Sequence, residues 1–289
     1  MIQFDTKMKW PLVLTCFLLP HSCILGASGS GCAFPEEWNG RWFQSGNTEL
    51  VTINGSLITS KGRCIEKKDD KFLVYEQKYN CYRCIVMHKK HPNVLQYKET
   101  YCLTEPQQPT LQLKCASLTS DANLMSLFRM GAVPLPCPFT GPLEFTYSLG
   151  ANECKVPPSS AESCTQDSRV LLKYQACPDV PASQRMDVEL ECLATWKEGS
   201  TLNLLARLYE DRVTNDEDSY RCFMYEQPTN TTWKLAQSAD AGCRGLISLT
   251  EAARIFKMRL SEWFGRNFIP FSIHVPTLIG HFLPLVYTG

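Results

Sequence analysis

The chain has no excess of charge of either sign and few histidines. Lys and Arg together number 29, as do Asp and Glu, and there are 5 histidines. Because proteins that bind nucleic acids need a positive surface to neutralise phosphates, the balanced charge argues against a nucleic-acid partner. The hydrophobic fraction of 44% is too high for a disordered chain. The sequence therefore predicts a folded protein whose partner is not held by long-range electrostatics.

The common catalytic motifs are also missing. The chain has no G-x-S-x-G nucleophile elbow, no glycine-rich phosphate loop and no H-E-x-x-H zinc motif. Its histidines are too scattered to propose a Ser-His-Asp or Cys-His arrangement. We therefore expect a non-enzymatic protein with no catalytic residues, no metal site and no cofactor. A secreted hydrolase stays open only if the fold gathers a carboxylate pair, or a histidine with a nucleophile, in a deep pocket.

The N-terminal segment has the composition of a secretory signal peptide. Lys7 and Lys9 precede an apolar run over residues 10–19, and small residues follow at 26–29. The apolar run is too short to cross a bilayer of ~30 Å as a helix. We predict that residues 1–28 are a signal peptide and that the rest of the chain is exported.

What the chain has in abundance is cysteine. The 15 cysteines amount to about 5% of the residues, which in an exported protein predicts a disulfide framework. Two of them, Cys16 and Cys23, belong to the signal peptide. The remaining 13 are the disulfide candidates: Cys32, Cys64, Cys81, Cys84, Cys102, Cys115, Cys137, Cys154, Cys164, Cys177, Cys192, Cys222 and Cys243. Their connectivity cannot be assigned from spacing.

Two local groupings are interpreted as structural. Cys81-x-x-Cys84 is followed by strand-forming residues, so it lacks the helix that a thioredoxin-type redox pair requires, and there is no second such pair for a zinc site. We expect both cysteines to form disulfides, and not with each other. His88 and His91 are two imidazoles without a complete set of metal ligands, and we predict a solvated hairpin tip.

Two glycosylation sequons agree with export. They begin at Asn54, in Asn-Gly-Ser, and at Asn230, in Asn-Thr-Thr. Both lie in polar, turn-like surroundings, and Asn54-Gly55 between β-forming residues predicts a hairpin turn. We expect both asparagines to carry glycans.

The sequence predicts a mainly β fold with two antiparallel, disulfide-stapled modules. Module 1 covers 32–116 and module 2 covers 137–244, and both contain short strand-like runs separated by turns. Residues 117–136 are predicted as a short helical linker, because good N-caps precede apolar residues at helical spacing (Leu124, Leu127 and Phe128) and prolines follow.

After module 2 the sequence predicts a C-terminal helix and an irregular apolar tail over 245–289. Ser248 and Glu251 form a capping box, and an amphipathic face continues to Gly265. Two interpretations of the tail remain open. It is either a membrane-seeking or GPI-type segment that would attach the protein to the cell surface, or an end of different origin left partly disordered. We favour the second, because prolines and histidines interrupt the apolar run.

The two modules contain an internal echo. Tyr82-Arg83-Cys84 in module 1 parallels Tyr220-Arg221-Cys222 in module 2. Each is followed by a turn with a proline, a second strand and a closing cysteine, Cys102 or Cys243. The matching order predicts a duplicated β-hairpin whose first strand carries an inward-facing cysteine.

In the stretches FPEEWNGRWFQSG, CYRCIVMHKKHPNVLQYKETYC, CPFTGPLEFTYS and SYRCFMYE, the chain resembles an arthropod family of secreted or cell-surface proteins. Members of this family are built from consecutive cysteine-rich domains of unknown function. The resemblance covers roughly 32–255 and implies architecture and compartment, but no activity. It ends after about Leu260. Thirteen cysteines cannot all pair within the chain, and we expect that one lost its partner where the resemblance stops, rather than bridging the modules or another chain.

Trp38 and Trp42 admit two interpretations. A glycine and a tryptophan in a first strand followed by many antiparallel strands are typical of lipocalin-like carriers, in which the tryptophan closes the barrel floor. The alternative is that both are core aromatics of a small disulfide-rich domain. We favour the core, because six cysteines in about 85 residues leave little room for a cavity.

The sequence thus predicts a secreted or cell-surface glycoprotein that acts as an extracellular binding module. Its partner would be an extracellular protein; the alternative is a lipocalin-like barrel that carries a small apolar ligand.

Mass spectrometry of the secreted protein without reduction tests the disulfide framework. We expect most cysteines to resist alkylation until a reductant is added, because each native bridge stabilises the fold by ~2–4 kcal/mol. Mostly free thiols in secreted material would contradict the predicted compartment.

Overall fold

Two closed antiparallel β-barrels follow one another along the chain. The computed structural model describes residues 31–163 and 166–261. In both barrels each strand pairs with its neighbours in the sequence, and the last strand returns to the first. The predicted fold class, mainly β with two antiparallel disulfide-stapled modules, is confirmed.

Barrel 1 contains eight strands, a 3-10 helix and an α-helix. The 3-10 helix spans Glu36–Trp38 and precedes the first strand. The strands are β1 Gly40–Phe43, β2 Val51–Asn54, β3 Leu57–Ile58, β4 Gly62–Lys68, β5 Lys71–Glu76, β6 Cys81–His91, β7 Val94–Glu99 and β8 Met125–Arg129. Helix α1, Leu111–Ala116, lies between β7 and β8 and begins where the Thr110 side chain accepts a hydrogen bond from the Leu113 amide.

Alternating side chains fill the interior of barrel 1, as the two-residue period of a strand requires. Phe72 and Val74 on β5, Ile85 and Met87 on β6, and Leu127 on β8 belong to one buried cluster. Arg83 and Glu99 stand at the same inward phase of β6 and β7, towards the far end of the barrel.

Trp42 closes one end of barrel 1. It is fully buried, and its indole N–H donates a hydrogen bond of 2.9 Å to the carbonyl of Trp38 in the 3-10 helix. The Arg129 guanidinium lies 4.2 Å from the centre of the indole ring. The same guanidinium donates hydrogen bonds to three backbone carbonyls, those of Glu37, Asn39 and Pro92. Trp38 and Trp42 are therefore core aromatics that seal the barrel floor.

A glycine is required at position 40, next to the Arg129 guanidinium. Its φ of +135° lies in a region that side chains rarely adopt, and a Cβ built there would lie 3.0 Å from Nη1 of Arg129. The Gly-x-Trp spacing thus reflects close packing of the arginine against the first strand.

Barrel 2 contains eight strands and one short helix. The strands are β9 Leu143–Leu149, β10 Asn152–Glu162, β11 Arg169–Tyr174, β12 Met186–Glu198, β13 Thr201–Tyr209, β14 Tyr220–Thr229, β15 Thr232–Gln237 and β16 Arg254–Leu260. Helix α2 spans Asp216–Ser219. The barrel closes where β16 pairs with β9 over seven positions.

The predicted linker helix over 117–136 is wrong, because this segment contains β8. Leu127 points into barrel 1 and Phe128 points outward, which is strand alternation. The spacing of Leu124, Leu127 and Phe128 fits a helix equally well, so the sequence pattern alone does not distinguish a helix from a strand here. The segment forms a strand because β1 and β7 would otherwise have open edges, whose unpaired backbone groups need a partner strand.

The predicted C-terminal helix is wrong for the same reason. Residues 254–260 form β16, with Phe256 and Met258 inside the barrel and the alternate residues Lys257 and Arg259 outside. The capping-box residues Ser248 and Glu251 instead pair across a tight turn as an isolated β-bridge. The predicted signal peptide over 1–28, the tail beyond 261 and Cys164 lie outside the described residues.

The two barrels share a buried contact cluster. Tyr220 of barrel 2 stacks on Phe43 of barrel 1 with ring centres 5.0 Å apart, and it also lies 5.5 Å from Phe128. The Asn93 side-chain amide donates a buried hydrogen bond of 2.7 Å to the carbonyl of Leu193. This cluster makes 117–136 part of the folded structure rather than a spacer between independent modules.

Replacement of Tyr220 by alanine should lower the free energy of unfolding by about 3–5 kcal/mol, because it leaves a cavity between two aromatic rings. Urea unfolding of the disulfide-intact protein measures the change. Tyr79→Ala is the control: Tyr79 is 59% exposed, and its loss should change stability by less than about 0.5 kcal/mol. Equal effects of the two substitutions would show that the barrels do not stabilise each other through Tyr220.

Candidate functional site

Twelve of the predicted disulfide cysteines pair with one another. The bridges are Cys32–Cys64, Cys81–Cys102, Cys84–Cys115, Cys137–Cys192, Cys154–Cys177 and Cys222–Cys243. Each bridge joins two cysteines of the same barrel or of the loops attached to it. As predicted, Cys81 and Cys84 each bond elsewhere. Six disulfides indicate an oxidising environment.

The duplicated hairpin is visible in the backbone contacts. In barrel 1 the Cys84 amide donates to the Thr100 hydroxyl at 3.0 Å, and in barrel 2 the Cys222 amide donates to the Ser238 hydroxyl at 3.0 Å. The predicted inward orientation of the cysteine is wrong. Since Ile85 and Phe223 point inward, the preceding cysteine points outward in both barrels, and Arg83 and Arg221 take the inward position.

The predicted closing cysteine of the duplicated hairpin is bonded to the first-strand cysteine in barrel 2 but not in barrel 1. Cys222 bonds to Cys243, whereas Cys84 bonds to Cys115 on α1 and leaves Cys102 to Cys81. Helix α1, inserted between β7 and β8, accounts for the difference because it packs on the outer face of β5 and β6.

Both sequon asparagines lie where a glycan can extend into solvent. Asn54 is exposed at the turn between β2 and β3, and Asn230 is exposed at the turn between β14 and β15. Glycosylation itself stays a prediction.

His88 and His91, the two histidines of the hairpin, contact different partners. His88 lies 3.2 Å from the Asp70 carboxylate on the exposed surface. Nδ1 of His91 accepts a hydrogen bond from the Asn93 amide at 3.1 Å, and burial lowers the pKa of His91. The described residues bring Glu76 close to the sulfurs of Cys81 and Cys102, but those sulfurs are joined in a disulfide.

Charged side chains fill the end of barrel 1 opposite Trp42. Arg83 binds Glu76 on β5 and Glu99 on β7, the latter at 3.2 Å. Glu99 also binds Lys61 at 2.6 Å. We call these four residues the ion quartet. Their side chains are only 12–22% exposed, so each charge depends on its partner for compensation.

Below the ion quartet the lumen is closed by Tyr97. Its hydroxyl donates to the side-chain oxygen of Gln44 at 2.9 Å, and the Lys61 ammonium lies 5.5 Å from its ring centre. Burial raises the pKa of Tyr97 well above its usual range. The space between these side chains and Met87 has no room for a water molecule. We therefore place no ligand inside the lumen of barrel 1.

An open pocket of about 620 Å³ lies above the ion quartet. Arg83 and Glu99 line its inner side, the segment after β7 forms one wall, and the segment before β8 forms the other. We call it the barrel 1 pocket. Its lining residues are Arg83, Glu99, Thr100, Tyr101, Cys102, Leu103, Ser117, Leu118, Thr119, Asp121, Ala122, Asn123 and Met125.

Large apolar side chains stand exposed at this pocket. Tyr101 is 88% exposed and Leu103 is 55% exposed, although both line the pocket. Their segment is fixed on both sides. The Cys81–Cys102 disulfide holds it covalently, and Leu103 exchanges two backbone hydrogen bonds with Tyr82, of 2.9 and 3.1 Å.

Sequence reasoning found part of this site. It singled out Arg83 and the cysteines, but it did not identify Glu76, Glu99 or Lys61. The two carboxylates carry a usable signal, because each ends a strand and keeps the inward phase of its apolar neighbours. Which inward charges meet depends on strand register, which is a tertiary property.

The geometry defines a disulfide-stabilised protein of two antiparallel β-barrels, a fold compatible with a lipocalin-like barrel. Two family models match in succession: a domain of unknown function (DUF7044) over residues 30–120, and a second domain of unknown function (DUF7042) over residues 133–260. The predicted series of consecutive domains of unknown function is confirmed. No curated protein and no solved structure matches the chain. In the described part of the chain, no helix is both long and apolar enough to span a membrane.

Glu99→Gln should destabilise the protein by on the order of 1–3 kcal/mol, because it leaves Arg83 and Lys61 short of a shared, largely buried acceptor. Chemical denaturation measures the change. Glu226→Gln is the matched control, since Glu226 pairs with Lys234 at the exposed surface and its loss should cost less than about 1 kcal/mol. If Glu99→Gln were as mild as the control, the ion quartet would be a solvated cluster.

Proposed function

We propose that this protein is an extracellular, non-enzymatic binding protein that holds its partner at the barrel 1 pocket. The observation that carries the proposal is the exposure of Tyr101 and Leu103 on a segment fixed by a disulfide and two backbone hydrogen bonds. Apolar side chains gathered at a pocket favour an interaction site over plain surface. Because the segment is held in place before binding, little ordering entropy opposes association.

The extracellular location is supported by the disulfides and by the sequence. Bridges of this number persist in oxidising compartments. The signal-like N-terminus and the two exposed sequons, at Asn54 and Asn230, agree with passage through the secretory pathway. Attachment to the cell surface through the tail stays an alternative to free secretion.

The pocket favours a partner with an apolar body and a polar group. Tyr101, Leu103 and Met125 offer apolar contact, whereas Arg83 and Glu99 offer charges deeper inside. A volume of about 620 Å³ accommodates a few side chains of a protein segment. We favour a protein partner, because Tyr101 and Leu103 lie at the exposed surface rather than enclosing a cavity. A small apolar ligand is the alternative occupant of this pocket, since the lumen below it is filled.

The charges at the pocket favour binding over catalysis. Glu76 and Glu99 share Arg83, and Glu99 also holds Lys61. Hydrolysis by a carboxylate pair needs one acid that can give up a proton and one that can accept it. Glu76 and Glu99 are instead both bound to Arg83, which suits a fixed polar floor for a ligand.

The test compares secreted full-length protein with Tyr101→Ser/Leu103→Ser. Immobilised wild-type protein should retain a component of extracellular fluid, and the double variant should retain at least about tenfold less of it, because both apolar anchors are gone. Val156→Ser is the control, since Val156 is 73% exposed on barrel 2. Bound material is identified as protein or as extracted small molecule by mass spectrometry.

Circular dichroism and thermal unfolding establish that the double variant is folded. Equal retention by the double variant and the wild-type protein would refute the barrel 1 pocket as the binding site. Loss of retention in Val156→Ser as well would show that binding follows general surface hydrophobicity.

A further inference from the structure

The duplicated hairpin allows barrel 1 and barrel 2 to be compared position by position. Arg83 on β6 pairs with Val74, and Arg221 on β14 pairs with Ala206. Both arginines stand two residues before an inward apolar residue and directly before an outward cysteine. They are therefore equivalent inward-facing positions of the two barrels.

The two carboxylates that bind Arg83 have no counterpart in barrel 2. Glu99 pairs with Ile85, the residue two after Arg83, and the equivalent partner of Phe223 is Gln237. Glu76 lies two residues after Val74, and Leu208 lies two residues after Ala206. Barrel 2 thus keeps the arginine and replaces both of its acidic partners by neutral side chains.

A second arginine faces the same end of barrel 2. Arg254 pairs with Gln237 on the neighbouring strand, and its guanidinium lies 5.2 Å from the ring centre of Tyr174 and 5.9 Å from that of Tyr147. Its Nη1 lies 3.3 Å from the Tyr174 hydroxyl oxygen. Burial lowers the pKa of Arg221; the nearby carboxylates of Asp218, Asp240 and Glu217 oppose this shift, and the Arg254 charge adds to it. Two partly buried cations therefore face the same end of barrel 2.

Within the described residues, neither guanidinium forms an ion pair. Arg221 donates through Nη1 to the backbone carbonyls of Glu217 and Tyr220, and Arg254 donates to Tyr174. The acids nearest to Arg221 are engaged elsewhere. The Glu217 carboxylate accepts from Ser45 and from the Gly46 amide, that of Asp240 binds Arg244, and that of Asp218 accepts from the Asn215 side chain. Glu210 acts at longer range on Tyr174.

We propose that the end of barrel 2 between Arg221 and Arg254 binds an oxyanion of a small molecule, a carboxylate or a phosphate. A guanidinium presents a fork of N–H donors that matches either group, and it interacts more strongly away from bulk water. The buried rings of Tyr147 and Tyr174 hold the Arg254 guanidinium in place. The ligand supplies the negative charge that Glu76 and Glu99 supply in barrel 1. This site is separate from the barrel 1 pocket and does not depend on the function proposed for it.

The repeat itself provides the decisive variant. Gln237→Glu restores, with almost no change of shape, the carboxylate that barrel 1 has at this position. The variant should neutralise the arginines internally and exclude the ligand. Gln227→Glu makes the same chemical change at an exposed position of β14 and serves as the matched control.

The measurement is the thermal midpoint of the full-length secreted protein in sodium phosphate, in sodium benzoate, and in sodium chloride of equal ionic strength. Either oxyanion should raise the midpoint of the wild-type protein and of Gln227→Glu by about 3 °C or more over chloride. Gln237→Glu should show no rise over chloride, and its midpoint in chloride should exceed that of the wild-type protein. A rise with benzoate alone assigns the site to organic carboxylates, and a rise with phosphate alone assigns it to phosphate groups.

Arg254→Gln removes a cation without adding a charge and should lose the response too. The proposal is overturned if neither oxyanion differs from chloride for the wild-type protein. It is also overturned if Gln237→Glu responds like Gln227→Glu, since the anions would then act away from the two arginines.

Discussion

Closure of the two backbone ladders is the constraint on which the rest of this structure depends. A strand at an open edge leaves N–H and C=O groups without partners, and both barrels avoid this by returning their last strand to the first. Closure recruits residues 125–129 and 254–260 as strands although their apolar spacing also suits helices. It fixes the register as well, and therefore decides which side chains enter each lumen.

The clamp of Arg129 on Trp42 shows how closure and packing support each other. Arg129 belongs to the strand that closes barrel 1, and its guanidinium covers the indole and binds the carbonyls around the 3-10 helix. The outward face of the same strand carries Phe128, which contacts Tyr220 of barrel 2. One strand thus seals a barrel floor on its inner side and joins the two barrels on its outer side.

The two disulfides that begin at the duplicated hairpins, Cys84–Cys115 and Cys222–Cys243, start from outward-facing cysteines, whereas Cys154 and Cys192 belong to the buried core of barrel 2. Cys84 and Cys222 point away from the lumen, so the adjacent arginines point into it. In barrel 1 the inward arginine is neutralised by Glu76 and Glu99 beneath an open pocket with fixed apolar side chains. In barrel 2 the equivalent arginine is joined by a second one, and neither forms an ion pair among the described residues. The two barrels thus share the hairpin and its inward arginine but differ in the groups that face this arginine.

The sequence by itself determined the class of fold, the disulfide use of the twelve described cysteines and the existence of the repeat. These properties follow from local patterns: two-residue alternation, turn residues, cysteine content and the Tyr-Arg-Cys echo. Only the tertiary structure decided that residues 117–136 and 245–261 contribute strands, which cysteines pair, and that Arg83, Glu76, Glu99 and Lys61 meet. Each of these depends on contacts between residues far apart in the chain, which strand register and barrel closure set and which no local pattern encodes.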